Sequence, residues 1–227
     1  MRNPWDDLPT TPPYVLPDDR EQVLAFNDRP GRLPIHKLQL QLLPEPYIGR
    51  VDAPIVVLKL GPAYSPLDTR FTEDPRCREV WRRNALHETL DYPFYPLDPF
   101  LAWTSSAAWW SRRLGQLIVQ FGERLVAENL LCIEAFPYHS VRFPGTRGTM
   151  TSQRYGFWLA ERAMERGALI LMANRPRVWH RAEPALEGYP RLYHARVKHG
   201  GYVTPGFYPD GFPEVERLLR DLETGRH

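Results

Sequence analysis

Apolar residues in this chain come in short unbroken runs, separated by longer stretches with helical spacing. The runs IVVLKL at 55–60, LLCIEA at 130–135 and ALILMA at 168–173 are short for helices and too continuously apolar for strands with one wet face. They read as strands covered on both sides. A fourth strand is expected at 191–197. Between these runs, Pro75 opens a helix expected to extend to residue 90. Ser105 or Ser106 caps a second helix through 107–121, with Trp109, Leu114, Leu117 and Ile118 spaced for one apolar face. A third helix begins at 149–152, carries Phe157, Ala160 and Met164 on one side, and ends at Gly167. A short helix at 178–182 and a last one from Pro213 to 222 complete the pattern.

Strands alternating with helices predict a three-layer α/β/α fold around a small, four-stranded parallel sheet. The organisation expected is a single α/β domain, with a wrapping extension at 1–50 and a core at 51–227. Within the extension, Asp18-x-x-Glu21 has the form of a capping box, opening a helix to about residue 28. Residues 33–50 read as loop, with one short helix around 35–43. The long loop DYPFYPLDPFLAW at 91–103 has the length of a functional or lid-like segment.

Composition narrows the class. The 227 residues are 43% hydrophobic and 25% charged, an ordinary globular balance. The 24 prolines are dispersed, so they mark rigid loops and helix starts and no single linker. Cys77 and Cys132 are too few for a four-cysteine cluster or a disulfide framework, and a reducing cytoplasm is the expected location. The amino terminus has no apolar core of signal-peptide type, and no apolar run approaches the roughly 20 residues of a membrane helix. Net charge is only +2 but unevenly placed: six acids and three arginines lie in 1–30, six bases and two acids in 174–200. That asymmetry fits either a face for a polyanion or a solvated arginine-rich surface.

In a parallel sheet all carboxyl ends point the same way, and ligands bind in the crevice beyond them. The tips 61–65, 134–140, 174–175 and 198–204 are therefore expected to share one site. They carry Glu134, His139, Ser140, Asn174, Arg175 and His199. There is no Gly-x-Ser-x-Gly elbow, Walker loop or Gly-x-Gly-x-x-Gly, so serine hydrolase, P-loop and dinucleotide readings lose support.

The strand–turn KLGPAYS, the IEAFPYHS segment, the LMANRP strand end and the HGGYVTPGF turn occur in the order found in the uracil-DNA glycosylase superfamily. Over roughly 45–210 the chain resembles a divergent member of it. The resemblance implies a glycosylase-like fold and hydrolysis of an N-glycosidic bond in DNA, duplex or single-stranded, without cofactor, metal, membrane or obligate protein partner. It places Gly61 where the family carries the Asp or Asn that positions the attacking water. Asp68 could take over that task, or the chain could be a non-catalytic binder of nucleic acid or nucleotide. It also places Glu134 near the family's base-reading Asn. A carboxylate accepts hydrogen bonds and suits the N4 amine of cytosine, so a modified cytosine is expected ahead of uracil. Alternatively Glu134 is itself catalytic, or is held by a helix terminus or an arginine. His199 would support the leaving base, with His139 as the competing histidine. Gly61, Pro62, Ala63, Tyr64, Phe136, Tyr138, His139 and Asn174 are candidates for the base pocket; Phe94 and Tyr95 are further aromatic candidates. Ser65, Ser140, Arg175, Lys198, Gly200, Gly201, Tyr202 and Thr204 are candidates for DNA contact, with Tyr202 or Phe207 as a wedge. Trp109 and Trp110 are expected in the helix–sheet core. Base excision repair and defence against phage with modified DNA both fit such an activity. An unrelated small-molecule hydrolase using Glu134 and His139 is a third reading.

Overall fold

A computed structural model describes residues 1–143, 145, 149–197 and 201–225. Five strands form one sheet: β1 (Tyr47–Gly49), β2 (Ile55–Lys59), β3 (Leu130–Glu134), β4 (Leu169–Met172) and β5 (Leu192–His194), in the order β1-β3-β2-β4-β5. β2 to β5 run parallel. β1 lies antiparallel at the edge beside β3, so the sheet is mixed and five-stranded, not purely parallel and four-stranded. Three residues between Pro46 and Arg50 are too few to show a period of two, which is why β1 reads as loop. Gly49 makes the edge strand possible. Its φ is +109°, and a Cβ there would be driven into the Leu130 carbonyl oxygen.

The strand interiors split by alternation. Ile55, Val57, Leu130, Cys132, Leu169 and Leu171 face a core built with α4 (Ser105–Asn129) and α7 (Gly211–Glu223). Val56, Leu58, Leu131, Ile133, Ile170 and Met172 face the opposite core, with Trp81 of α3 (Pro75–Ala85), Ala160 of α5 (Thr151–Glu165) and Trp179 of α6 (Pro176–Ala182). Both faces are thus covered, as the apolar runs require. Among the described residues no helix is long and apolar enough to cross a membrane.

Several boundaries shift for local reasons. Residues 35–43 hold no α-helix; only a 3-10 turn at Pro34–His36 forms. An unexpected helix, α2 (Pro66–Glu73), follows the β2 turn, nucleated by a capping box between Ser65 and Asp68. α3 stops at Ala85, and His87 follows in a left-handed conformation (φ 59°). α4 is capped by Thr104, whose side chain accepts from Ala107 N, and it is broken at Gly122 (φ 79°). α5 starts at Thr151. α1 (Arg20–Asn27) forms, but Asp19 makes no side-chain cap. Its carboxylate is fully buried and accepts from the Tyr138 hydroxyl at 2.7 Å and Ser152 N at 3.2 Å.

Two glycine substitutions separate strain from propensity. Gly49→Ala should lower stability by about 2 kcal/mol or more, because the backbone conformation and the Leu130 carbonyl both oppose a side chain. Gly115→Ala, inside α4 with nothing within 4 Å of the new methyl, should raise stability by roughly 0.5–1 kcal/mol. Urea denaturation of the two variants checks both signs.

Candidate functional site

The parallel register sets Lys59 opposite Glu134 at the last paired position of β2 and β3. Alternation then sends both side chains toward α4. Lys59 Nζ lies 2.6 Å from Glu134 Oε1, with side-chain exposures of 12% and 0%. The ammonium also sits over the rings of Trp109 (4.3 Å) and Trp110 (5.1 Å). Burial by itself would push the Lys59 ammonium down, but the charge of Glu134 and further neighbours outweighs it and holds it above the ordinary lysine range. Glu134 Oε2 has no partner among the described residues. Glu134 thus lies under Lys59 and does not line the open pocket. Its partner is a lysine on the adjacent strand, neither an arginine nor a helix terminus.

The turns after β2 and β3 are stitched together above this pair. Ala63 bridges Ser140 in parallel. His139 Nδ1 donates to the Ala63 carbonyl at 2.6 Å. A Cβ on Gly61 would stand 3.0 Å from the Phe136 carbonyl oxygen, so Gly61 serves close backbone approach and offers the pocket no functional group. Asp68 lies 3.9 Å from His139. Its Oδ2 accepts from Ser65 N at 2.6 Å, and its Oδ1 accepts a very short hydrogen bond from the Ser105 hydroxyl.

These groups border a pocket of about 390 Å³ at the carboxyl ends of the parallel strands. Gly61, Pro62, Ala63, Tyr64, Ser65, Asp68, His139 and Asn174 all reach it, as the sequence suggests. Asn174 does not cap α6. The cap position is Arg175, left-handed at φ 50° and without a side-chain cap bond, and Asn174 Oδ1 is buried without a partner among the described residues.

Other candidates fall elsewhere. Phe136 stacks on Phe143 at 3.9 Å inside the core, and Tyr138 is buried with its hydroxyl on Asp19. Neither is a platform for a ligand. Ser140 is buried in the bridge to Ala63. Phe94 packs edge-on against Trp110. Lys198, His199 and Gly200 lie outside the described residues. The remainder of that turn is beside the pocket: a Cβ on Gly201 would be 3.4 Å from Trp109, and Val203 N donates to Arg113 O at 3.0 Å. The Arg113 guanidinium lies over Trp109 (3.8 Å) and Tyr202 (5.1 Å). Tyr202 also meets Phe207 at 5.3 Å. Thr204 turns the chain there, its carbonyl accepting from Phe207 N and Tyr208 N.

Sequence reasoning missed Lys59, Glu45, Ser105 and the pocket role of Trp109. Lys59 had a signal, a charge at the end of an otherwise apolar strand. Trp109 had none, because its neighbour Trp110 does pack into the core. Glu45 precedes β1 and reaches both the pocket and a smaller compartment behind it. Burial first, then the charges of Glu134 and Asp68, push its carboxyl up to about 8 against the opposing pull of Lys59.

A larger cavity, about 600 Å³, lies at the other end of the sheet beside Gly49 and His87. Its charged side chains are largely committed to one another, as in Arg50–Asp52 and Arg124–Glu128. The strand-tip pocket is the better site because polar side chains from several elements converge there, at the carboxyl ends of the parallel strands. Among the described residues no group of three or more His, Cys, Asp or Glu is placed to hold a metal ion. No protein-family model, curated protein or solved structure matches the chain.

Two measurements probe this electrostatic arrangement. Lys59→Met should cost about 3–5 kcal/mol by leaving Glu134 buried and unpaired, and Lys59→Met with Glu134→Gln should recover most of it. Chemical denaturation of the single and double variants reads the difference. Glu45 binds its proton more tightly folded than unfolded, so its contribution to stability is full below pH about 4.5 and is lost as pH rises toward 8. Denaturation at pH 5 and pH 8 should show a smaller fall for Glu45→Gln than for the wild type.

Proposed function

We propose that this protein is a DNA glycosylase, hydrolysing the N-glycosidic bond of a flipped, modified pyrimidine, with modified cytosine ahead of uracil. What carries the reading is the meeting of Lys59, Asp68, His139 and Asn174 at one pocket, contributed by β2, α2 and the turns after β3 and β4. Its volume admits a single base with room beside the ring for a substituent. Trp109 and Tyr64 on its wall supply faces on which an extruded base can stack.

The chemical roles follow from what each side chain is bonded to and what it leaves facing the pocket. Asn174 Oδ1 is an acceptor for an exocyclic amine, the feature that distinguishes cytosine from uracil. It takes the reading role that the sequence assigned to Glu134. Glu134 instead fixes the Lys59 ammonium, which sits where negative charge develops on a departing base. Asp68 and Ser105 hold the turn that carries the pocket wall. Arg113 and Tyr202 stack with the pocket-lining Trp109, a surface suited to a DNA backbone and to wedging the vacated gap. Either repair of damaged bases or defence against phage carrying modified DNA would use this activity.

The test is incubation with duplex and single-stranded oligonucleotides carrying uracil, cytosine, 5-hydroxymethylcytosine or its glucosylated form, followed by alkali and a denaturing gel. Scission of one modified substrate is expected, reduced at least 100-fold in Asn174→Ala. Tight binding without scission would instead support a non-catalytic nucleic-acid binder, for which the absence of a functional side chain at Gly61 is the favouring observation. Neither binding nor scission overturns both.

A further inference from the structure

Three carboxylates approach the pocket region; Glu134, whose Oε2 has no partner among the described residues, lines neither the pocket nor the compartment behind it, and Asp68 is engaged through both oxygens. Glu134 is locked to Lys59. Asp68 spends one oxygen on Ser65 N and the other on the Ser105 hydroxyl. Glu45 differs: among the described residues its carboxylate accepts only a long hydrogen bond, from the Tyr95 hydroxyl to Oε2 at 3.4 Å. Its backbone is nevertheless fixed, since Glu45 N donates to Pro137 O at 2.8 Å.

Behind Glu45 lies a compartment of about 30 Å³. That space holds roughly two or three water molecules, given about 10–15 Å³ for each. It is lined by Glu45, Tyr95, Thr104, Ser106 and His139 on its polar side, and by Phe71 and Trp81 among its apolar walls. Glu45, Asp68, Ser106 and His139 border both this compartment and the pocket. A water there would have several polar partners and would lie next to the pocket.

We propose that Glu45 holds the attacking water at the junction of compartment and pocket and removes its proton during base excision. The inference rests on the glycosylase reading and supplies the group that Gly61 cannot. In the step, the C1′–N bond breaks and its electron pair leaves with the base. The water oxygen bonds to C1′, one water proton passes to the Glu45 carboxylate, and the base takes a proton from solvent. The titratable groups facing Glu45 are Lys59 of β2, Cys132 and Glu134 of β3, Asp68 of α2, Tyr95 of the 95–97 turn and His139 after β3. Burial among them keeps Glu45 a strong base once ionised, with its midpoint near pH 8.

Single-turnover excision between pH 5.5 and 9 tests this with wild type, Glu45→Gln and Glu45→Asp, alongside DNA binding and a high-resolution crystal structure. Wild-type excision should rise about tenfold per pH unit and level off near pH 8. Glu45→Gln should lose about 10²–10⁴-fold in rate, lose that pH limb, and bind DNA within threefold of wild type. Glu45→Asp should retain part of the rate. The crystal structure should show a water bonded to Glu45 in the compartment. Excision by Glu45→Gln within fivefold of wild type, with the same pH limb, overturns the role of Glu45 and leaves the glycosylase reading standing. A compartment without water does the same. A wild type that excises nothing overturns both.

Discussion

The site is organised around one buried ion pair. Lys59 and Glu134 meet because two parallel strands end in register, and each would be costly alone in a setting this dry. A buried pair of this kind is weak as a device for stability, since well-packed apolar residues at the same two positions often do as well. At a strand tip bordering the pocket, the pair fixes a positive charge in place. Glu134 anchors Lys59 from below, while Trp109 and Trp110 hold it from the helix side. The remaining polar groups of the pocket are arranged around that charge.

Holding them in place is largely backbone work. The turn after β2 and the turn after β3 are joined by the Ala63–Ser140 bridge and by the His139 ring bonded to the Ala63 carbonyl. The first 50 residues then clamp the second turn from outside. Gln39 N donates to His139 O, Glu45 N to Pro137 O, and Arg142 N to Ile35 O. Deeper in, the buried Asp19 accepts from the Tyr138 hydroxyl and from Ser152 N at the start of α5. The extension is therefore part of the site's scaffold, and it also contributes Glu45 to the pocket wall. Conversely, Phe136 and Tyr138, which sit in the same turn, are turned inward by this clamping and act as packing.

The central runs announced themselves: IVVL, LLCI and LILM are apolar without interruption because both faces are covered, and a pattern of that kind is visible without coordinates. From parallel strands it follows that the tips share an edge, so Gly61–Ser65, His139 and Asn174 could be placed near one ligand from the chain alone. The antiparallel edge strand and α2 were not legible. The first is three residues long, and the second is set by a hydrogen-bond exchange between Ser65 and Asp68 that competes with other turn geometries.

What the sequence determined, then, is which segments are buried and at which end of the sheet chemistry can collect, because periodicity and composition report burial. What only the tertiary structure decided is which polar groups at that end remain uncommitted. Glu134 looked available and is covered by Lys59. Asp68 looked free and is tied to Ser65 and Ser105. Glu45, thirteen residues before Leu58 and outside any motif, is the carboxylate that borders the pocket with only a long hydrogen bond, from Tyr95, among the described residues. Hydrogen-bond commitment depends on partners far apart in the chain, and no local pattern encodes it.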